Sequence, residues 1–156
     1  MERILFDTPA GPLGLEAEGE GLTALYLPNR CADLAAGRSS PLLEEAKGQL
    51  LAYFRGERRA FSLPLAPRGA PFRQRVWKCV LDIPYGTVIS YRELARRAGS
   101  PRGFRAVGQA NRFNPLPILI PCHRVVAADG SLGGYAGGLE LKEFLLKLEG
   151  VCYGKK

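Results

Sequence analysis

One histidine, His123, is all that this 156-residue chain contains. A Cys/His zinc cluster cannot be built on a single imidazole, and the four cysteines, Cys31, Cys79, Cys122 and Cys152, are widely spaced with no C-x-x-C among them. No apolar run approaches the ~18 residues of a membrane span, so no membrane partner is expected. The opening MERILFDTPAG lacks the apolar core and small-residue cleavage site of a signal peptide. A cytoplasmic location is the expectation, and in that reducing compartment a disulfide framework is not. There is no low-complexity tract, and 46% hydrophobic with 24% charged residues is ordinary for a globular protein. The length suits one compact domain or two small ones, with enough chain to bury a core.

Arginine, by contrast, is abundant and unevenly placed. Residues 1–68 hold 8 basic against 9 acidic side chains, residues 69–156 hold 14 against 6, and together they give the net charge of +7. Within 72–112 alone there are 9 basic residues, eight of them arginine, against 2 acidic. A one-sided Arg-rich region suggests a polyanionic partner, although a merely soluble basic surface has the same balance. The charge changes sign at PRGAP (67–71), a stiff linker. That divides the chain into an N-terminal domain, 1–68, and a C-terminal domain, 69–156.

The fold class predicted is α+β. RILFDT, LGLEAEG and GLTALYL are short β-capable runs separated by Gly/Pro turns, an antiparallel sheet. SPLLEEAKGQLLAYFRG then reads as a helix with Ser40 as N-cap, Pro41 at the first position and Gly56 as its end. AFSLPLA is expected as a further strand. The C-terminal domain is mostly helical. In PFRQRVWKCVLDIP, Phe72, Val76, Val80 and Ile83 keep a helical period that Pro84 stops, and Cys79 reads as a small buried apolar residue. Cys31 and Cys152, beside loops or ends, read as uninvolved thiols.

In SYRELARRAG, Ser90 and Glu93 match a capping box, and Gly99 ends the helix. SPRGFRAVGQANRF follows at once, with Ser100 expected as cap and Pro101 in the first turn. Two short helices joined by a tight Gly-containing turn suggest a winged helix-turn-helix-like unit, a pattern that plain helical hairpins share. Ala106, Gly108 and Ala110 make the second helix smooth, while Arg102, Arg105 and Arg112 flank it. Major-groove readers carry long polar side chains; a smooth helix with a projecting arginine suits the minor groove and a wedge into the stack. Packing on a neighbouring helix would use the same small residues.

The stretch NPLPILIPCHRVV (114–126) sets Cys122 beside His123 behind three prolines. An imidazole can take a thiol proton, and the prolines preset the backbone. Arg124 would either favour a thiolate or sit in a structural ion pair. A histidine acting as base needs a third group to hold its ring, and the last helix, GLELKEFLLKLEG, offers Glu140, Glu143 and Glu149. Leu141, Phe144, Leu145 and Leu148 are its expected buried stripe. Glu149 opposes the helix dipole at its C-terminus, which suggests a tertiary partner. Five glycines surround Tyr135 in GSLGGYAGGLE, either a loop closing on a flat ligand or an ordinary surface loop.

Residues 72–150 closely resemble the O6-alkylguanine-DNA alkyltransferases, direct-reversal repair proteins. The resemblance rests on the ordered series VW, IPYGTVISY, RAVGQANRFNPLPILIPCHRVV, GGYAGGLELK and LLKLEG with their spacings. It covers about half of the chain, and the N-terminal half matches only in its coarse sheet-plus-helix pattern. The resemblance implies that Cys122 accepts the alkyl group, with His123 as its base through a bridging water and Glu149 orienting His123. Asn114 would link the thiol segment to the helix-turn-helix. Arg105 would fill the gap left by an extruded guanine, with Arg102, Arg112, Ala106 and Gly108 along the DNA-facing helix. Tyr91 would help rotate the phosphate and donate a proton to the departing base, and Tyr135 would close over it. The main chain at Cys122, Val125 and Ala136, with Pro117 nearby, would line the pocket.

The implied reaction is a single irreversible transfer from O6-alkylguanine in double-stranded DNA by a monomer without metal or cofactor, with O4-alkylthymine open as a second lesion. The target atom lies inside the duplex, so the nucleotide must be flipped out. Ala136 stands where some members carry serine, and Gly103 and Phe104 stand where small alanines are common; Phe104 would be either an extra wedge or an inward-packed ring. The alternatives are an alkyltransferase-like or winged-helix DNA-binding protein without transfer activity, and a thiol hydrolase. Cys122 argues against the alkyltransferase-like reading, the winged-helix reading leaves PCHRV unexplained, and the hydrolase reading leaves the Arg-rich helices unexplained.

Overall fold

The structure is a computed structural model that describes residues 1–151; Cys152 lies outside the described residues. It divides into two compact units, one of Met1–Arg68 with Pro115–Pro117, the other of Gly69–Asn114 and the chain from Ile118 onward.

In the first unit, β1 (Glu2–Thr8), β2 (Gly11–Glu18) and β3 (Gly21–Tyr26) form an antiparallel sheet in the order β1-β2-β3, with Phe6 opposite Leu13 and Leu15 opposite Leu25. The period of two puts Leu13, Leu15 and Ala17 on the buried face. Helix α1 (Pro41–Phe54) covers it, burying Leu43, Ala46, Leu50 and Tyr53, and Ser40 accepts a hydrogen bond from Leu43 N at 3.2 Å as expected of its cap. The residues of AFSLPLA do not form a strand. Leu22 N donates to Pro64 O and Ala66 N to Leu22 O, but Pro64 has no N–H to extend a ladder, and the pairing stops at one bridge between Leu22 and Leu65. Leu25 N also donates to Pro115 O at 2.9 Å, one tie that places residues 115–117 in this unit. Cys31 is buried, its thiol directed at the carbonyls of Pro12, Tyr26 and Leu27.

The second unit contains α2 (Pro71–Leu81), β4 (Ile89–Ser90), α3 (Tyr91–Arg97), α4 (Phe104–Arg112), β5 (Val125–Val126) and α5 (Leu139–Leu148). The short strands pair in parallel, Ile89 with Val125 and Ser90 with Val126. Val76, Trp77 and Val80 of α2 are buried, and Trp77 Nε1 donates to Ala110 O at 2.7 Å, joining α2 to α4. Cys79 is only partly buried, one step off that face. Ser90 caps α3 through Glu93 N, but the Glu93 carboxylate is taken by Arg96 and Arg97 instead of turning back to Ser90. Those two cations hold its pKa down at about 2.

Helix α4 starts at Phe104, three residues later than the Pro101 signal suggests. Pro101–Gly103 form a turn closed by Gly103 N on Ser100 O at 2.9 Å, and Gly103 replaces Ser100 as N-cap. Gly99, at φ 77°, supplies the left-handed turn between α3 and α4. Ala110 faces the core with Val107, so the smooth exposed surface is confined to Ala106 and Gly108. On α5 the buried face is Lys142, Leu145 and Leu146, while Leu141 and Leu148 are partly buried and Phe144 is exposed. That is a rotation of the expected stripe toward the two polar residues that need internal partners, Lys142 and Glu149. No helix among the described residues is long and apolar enough to cross a membrane.

Candidate active site

Cys122 opens a single 3-10 turn, Cys122–Arg124, that leads directly into β5. The approach to it is stiff: Ile118, four residues earlier, is buried at φ 74°, a conformation that costs a β-branched residue about 1–3 kcal/mol and persists because the surroundings hold it. Two asparagines fix the segment, Asn111 in the last turn of α4 and Asn114 just past its end. Asn114 Nδ2 donates to Ile120 O at 2.8 Å, and Asn111 Nδ2 to Cys122 O at 3.3 Å. Burial pushes the Cys122 thiol up to about 11, against a hydrogen bond from the Asn114 side chain and the nearby charge of Lys142, which pull it down. The resting sulfur is therefore a neutral thiol at pH 7, and its proton has to be taken by a base.

The next residue in the chain is an imidazole. His123 is fully buried, and its Nε2 lies 2.8 Å from Glu149 Oε2. The same carboxylate receives Arg124 Nη2 on Oε2 and Arg124 Nε on Oε1, both at 2.9 Å, and Gly86 N on Oε1 at 3.2 Å. Arg124 also donates to Ile83 O at 2.7 Å. Of the two roles open to Arg124, the structural ion pair is the one realised. A carboxylate so surrounded by donors stays ionised and acts only as an acceptor, so His123 must present Nε2–H to it. Nδ1 is then left with its lone pair, and it has no hydrogen-bond partner among the described residues. Burial holds the His123 pKa below the ordinary imidazole value, outweighing the opposite pull of Glu149. The ring is neutral at pH 7, with Nδ1 as its acceptor nitrogen.

A cavity of about 380 Å³ reaches the thiol, within the range of small-molecule sites. Its walls come from Tyr91 on α3, one face of α4, Cys122, and the loop at Gly134–Ala136. The loop is tied down by Lys142, whose fully buried ammonium donates to Val125 O at 2.7 Å, Leu132 O at 2.5 Å and Gly134 O at 3.1 Å. Tyr91 hydroxyl donates to Gly134 O at 3.3 Å. Gly133, at φ 76°, lets the loop approach so closely that a Cβ there would meet the Tyr91 ring at 2.8 Å. Burial pushes the Lys142 amine down to about 8 and raises the Tyr91 phenol above its ordinary value.

Of the residues singled out in the sequence, the cavity brings together Tyr91, Arg105, Gly108, Arg112, Cys122, Tyr135 and Ala136. His123, Glu149 and Asn114 stand buried behind it. Arg102 and Ala106 are exposed at and beside the start of α4. Val125 is buried with its carbonyl on Lys142, and Pro117 groups with the first unit; neither is among the lining residues. Phe104, for which two orientations were open, is exposed and lines the cavity. Sequence reasoning missed Asn111, Gln109 and Lys142. The first and last act through main-chain carbonyls, which leave no signature in a sequence.

Two family models divide the chain. The 6-O-methylguanine DNA methyltransferase, ribonuclease-like domain, matches residues 1–67, and the 6-O-methylguanine DNA methyltransferase, DNA binding domain, matches residues 71–151. The chain is 44% identical over 156 residues to a methylated-DNA–protein-cysteine methyltransferase of Methanosarcina acetivorans, covering 97% of this chain and 100% of that protein. It is 44% identical to the constitutive one of Bacillus subtilis, covering 96% of each. Among solved structures, Mycobacterium tuberculosis OGT in complex with DNA superposes with a TM-score of 0.87 at 44% identity, covering 96% of this chain and 92% of that one.

Proposed function

Because this chain belongs to the 6-O-methylguanine DNA methyltransferase family, we propose that it repairs DNA by moving an alkyl group from O6 of guanine onto Cys122, once per molecule. The observation that carries the reading is the buried thiol at the wall of a base-sized cavity, backed by a neutral imidazole whose ring is held by an ionised Glu149. The thiol proton passes to His123 Nδ1 through a bridging water, and the sulfur attacks the alkyl carbon in line. The carbon–oxygen bond breaks with its electrons going to the guanine, which takes a proton from the Tyr91 hydroxyl. The product thioether has no easy hydrolytic exit, so the protein is consumed. Extruding the nucleotide costs about a few kcal/mol, and Arg105, exposed at the cavity mouth, offsets part of it by filling the stack. Arg102 and Arg112 hold the backbone from either end of α4, with a minor-groove approach. In this reading residues 69–156 are the DNA-binding and alkyl-acceptor domain, and the monomer works in the cytoplasm, where Cys122 stays reduced.

The test is intact-protein and peptide mass spectrometry after incubation with duplex DNA containing O6-methylguanine. One methyl group per molecule should appear, on the Cys122 peptide. Repeated turnover, or label on Cys79, overturns the reading. The pH dependence follows from the base. Only the neutral ring accepts the proton, and burial keeps His123 below its ordinary 6.5. The single-turnover rate constant should stay level from pH 8 down past 6.5 and fall only in more acidic buffer. A loss already half complete at pH 7 would remove His123 as the base.

A further inference from the structure

The α4 face toward the cavity carries a row at helical spacing, Phe104, Gly108 and Asn111. Its inner end is anchored: Asn111 is 4% exposed and bonded to the Cys122 carbonyl. Gly108, in the middle, presents no side chain. The outer end is a phenyl ring 52% exposed, at the first residue of the helix, between Arg102 and Arg105. Neither the thiol chemistry nor the proton relay uses this ring. A large apolar side chain is left in water at the rim of the cavity that reaches the nucleophile, with the exposed Arg102 and Arg105 beside it in the chain.

Resting on the repair reading above, we propose that Phe104 is a stacking platform for the base next to the extruded nucleotide, working beside Arg105 when the duplex is bound. Three features fix the occupant as a nucleobase still in the duplex. The arginines on either side select a polyanion. An aromatic ring gains most from another flat π-face, and every base offers one irrespective of sequence. Phe104 sits at the rim while Tyr135, 7% exposed, stands deeper, so a base inside the cavity is met by Tyr135 and the step it leaves behind is met by Phe104. The pair divides the work: Arg105 replaces the missing base in the stack, and Phe104 covers the apolar surface of its neighbour, as apolar wedges at minor-groove interfaces do.

The measurement is the transfer rate from O6-methylguanine in duplex DNA divided by the rate from free O6-benzylguanine, which has no neighbour to stack on. In Phe104→Ala this ratio should fall roughly tenfold, the size expected for one lost base–aromatic stack, while Phe104→Trp should keep it. A ratio unchanged in Phe104→Ala, whether both rates hold or both fall together, overturns the proposal by making Phe104 a passive cavity wall. A ratio lost in Phe104→Trp as well overturns it by making ring size, and not stacking, the determinant. Failure of the repair reading itself is separate: the wild-type protein would then form no Cys122 adduct with either substrate.

Discussion

Glu149→Ala should unfold the C-terminal unit more easily by about 3–5 kcal/mol, a drop in melting temperature on the order of 10 °C, and abolish measurable transfer. Removing the carboxylate does more than delete one ion pair. Arg124, 6% exposed, is left charged with only Ile83 O still accepting from it. Gly86 N and His123 Nε2 lose their acceptor as well. A cation stranded in a buried position costs several times what an exposed pair contributes, and that difference sets the size of the effect. Glu149→Gln separates charge from tautomer. Its amide nitrogen must face either Arg124 Nε with Gly86 N, or Arg124 Nη2 with His123 Nε2, and each pair consists of donors. The one available relief is for His123 to move its proton to Nδ1 and accept at Nε2. The nitrogen nearest the task of taking the thiol proton is then already protonated. Glu149→Gln should therefore lose less stability than Glu149→Ala, yet transfer more slowly by roughly 10²–10⁴, the usual worth of a positioned base. Thermal melts and single-turnover rates on both variants check this. A Glu149→Ala protein that melts within a degree or two of wild type would show that the carboxylate is not buried among donors.

This cluster also marks where sequence reading reaches and where it stops. Local signals were legible when a residue acts on its own backbone: Ser40 with Pro41 begins α1, and Gly99 turns α3 into α4. They failed where a neighbour competes. Pro101 has the right φ for a helix start, but the Ser100–Gly103 turn uses those residues first. AFSLPLA has strand composition, but Pro64 withholds the donor a ladder needs. The face of α5 was misjudged because apolar periodicity counts Lys142 and Glu149 as outward residues. Both are buried, seven positions apart on the same side, since each finds polar partners inside that cancel the cost of leaving water. The candidate thiol, imidazole and carboxylate were found through motifs. The groups that hold the main chain around them, Asn111 on one carbonyl and Lys142 on three, carry no motif because their partners are main chain.

Lys142→Met should be less destabilising at pH 7 than at pH 10, a trend opposite to that of a lysine in a salt bridge. Methionine fills the same volume but cannot donate, so the carbonyls of Val125, Leu132 and Gly134 each lose a buried partner, at about 1–3 kcal/mol apiece. Against this, wild type carries the cost of a buried charge. With the amine at about 8 in the folded protein and 10.5 as its ordinary value, the folded state binds fewer protons than the unfolded one between those limits. Stability from this group is complete above pH 10.5 and is lost as pH falls through 8, a span of about 3 kcal/mol. At pH 7 the variant escapes that cost, which offsets part of the three lost bonds; at pH 10 the wild-type amine is neutral and keeps two N–H donors, the cost of the charge has largely gone, and linkage makes the variant's deficit the larger one there. The functional loss does not cancel in the same way. The loop at Gly134–Ala136 would keep the Tyr91 hydroxyl bond to Gly134 O and the Gly138 N bond to Tyr135 O but lose its tie to the Lys142 ammonium, and Tyr135 would be held less firmly over the cavity. A misplacement of about 1 Å at a reacting site is worth roughly 10² in rate, so transfer should slow by that factor at both pH values. Denaturant melts of wild type and Lys142→Met at pH 7 and pH 10, with single-turnover rates beside them, give the comparison. A stability deficit that shrinks toward pH 10 would mean that Lys142 is stabilised as a cation in the fold, and that the loop is held by its charge.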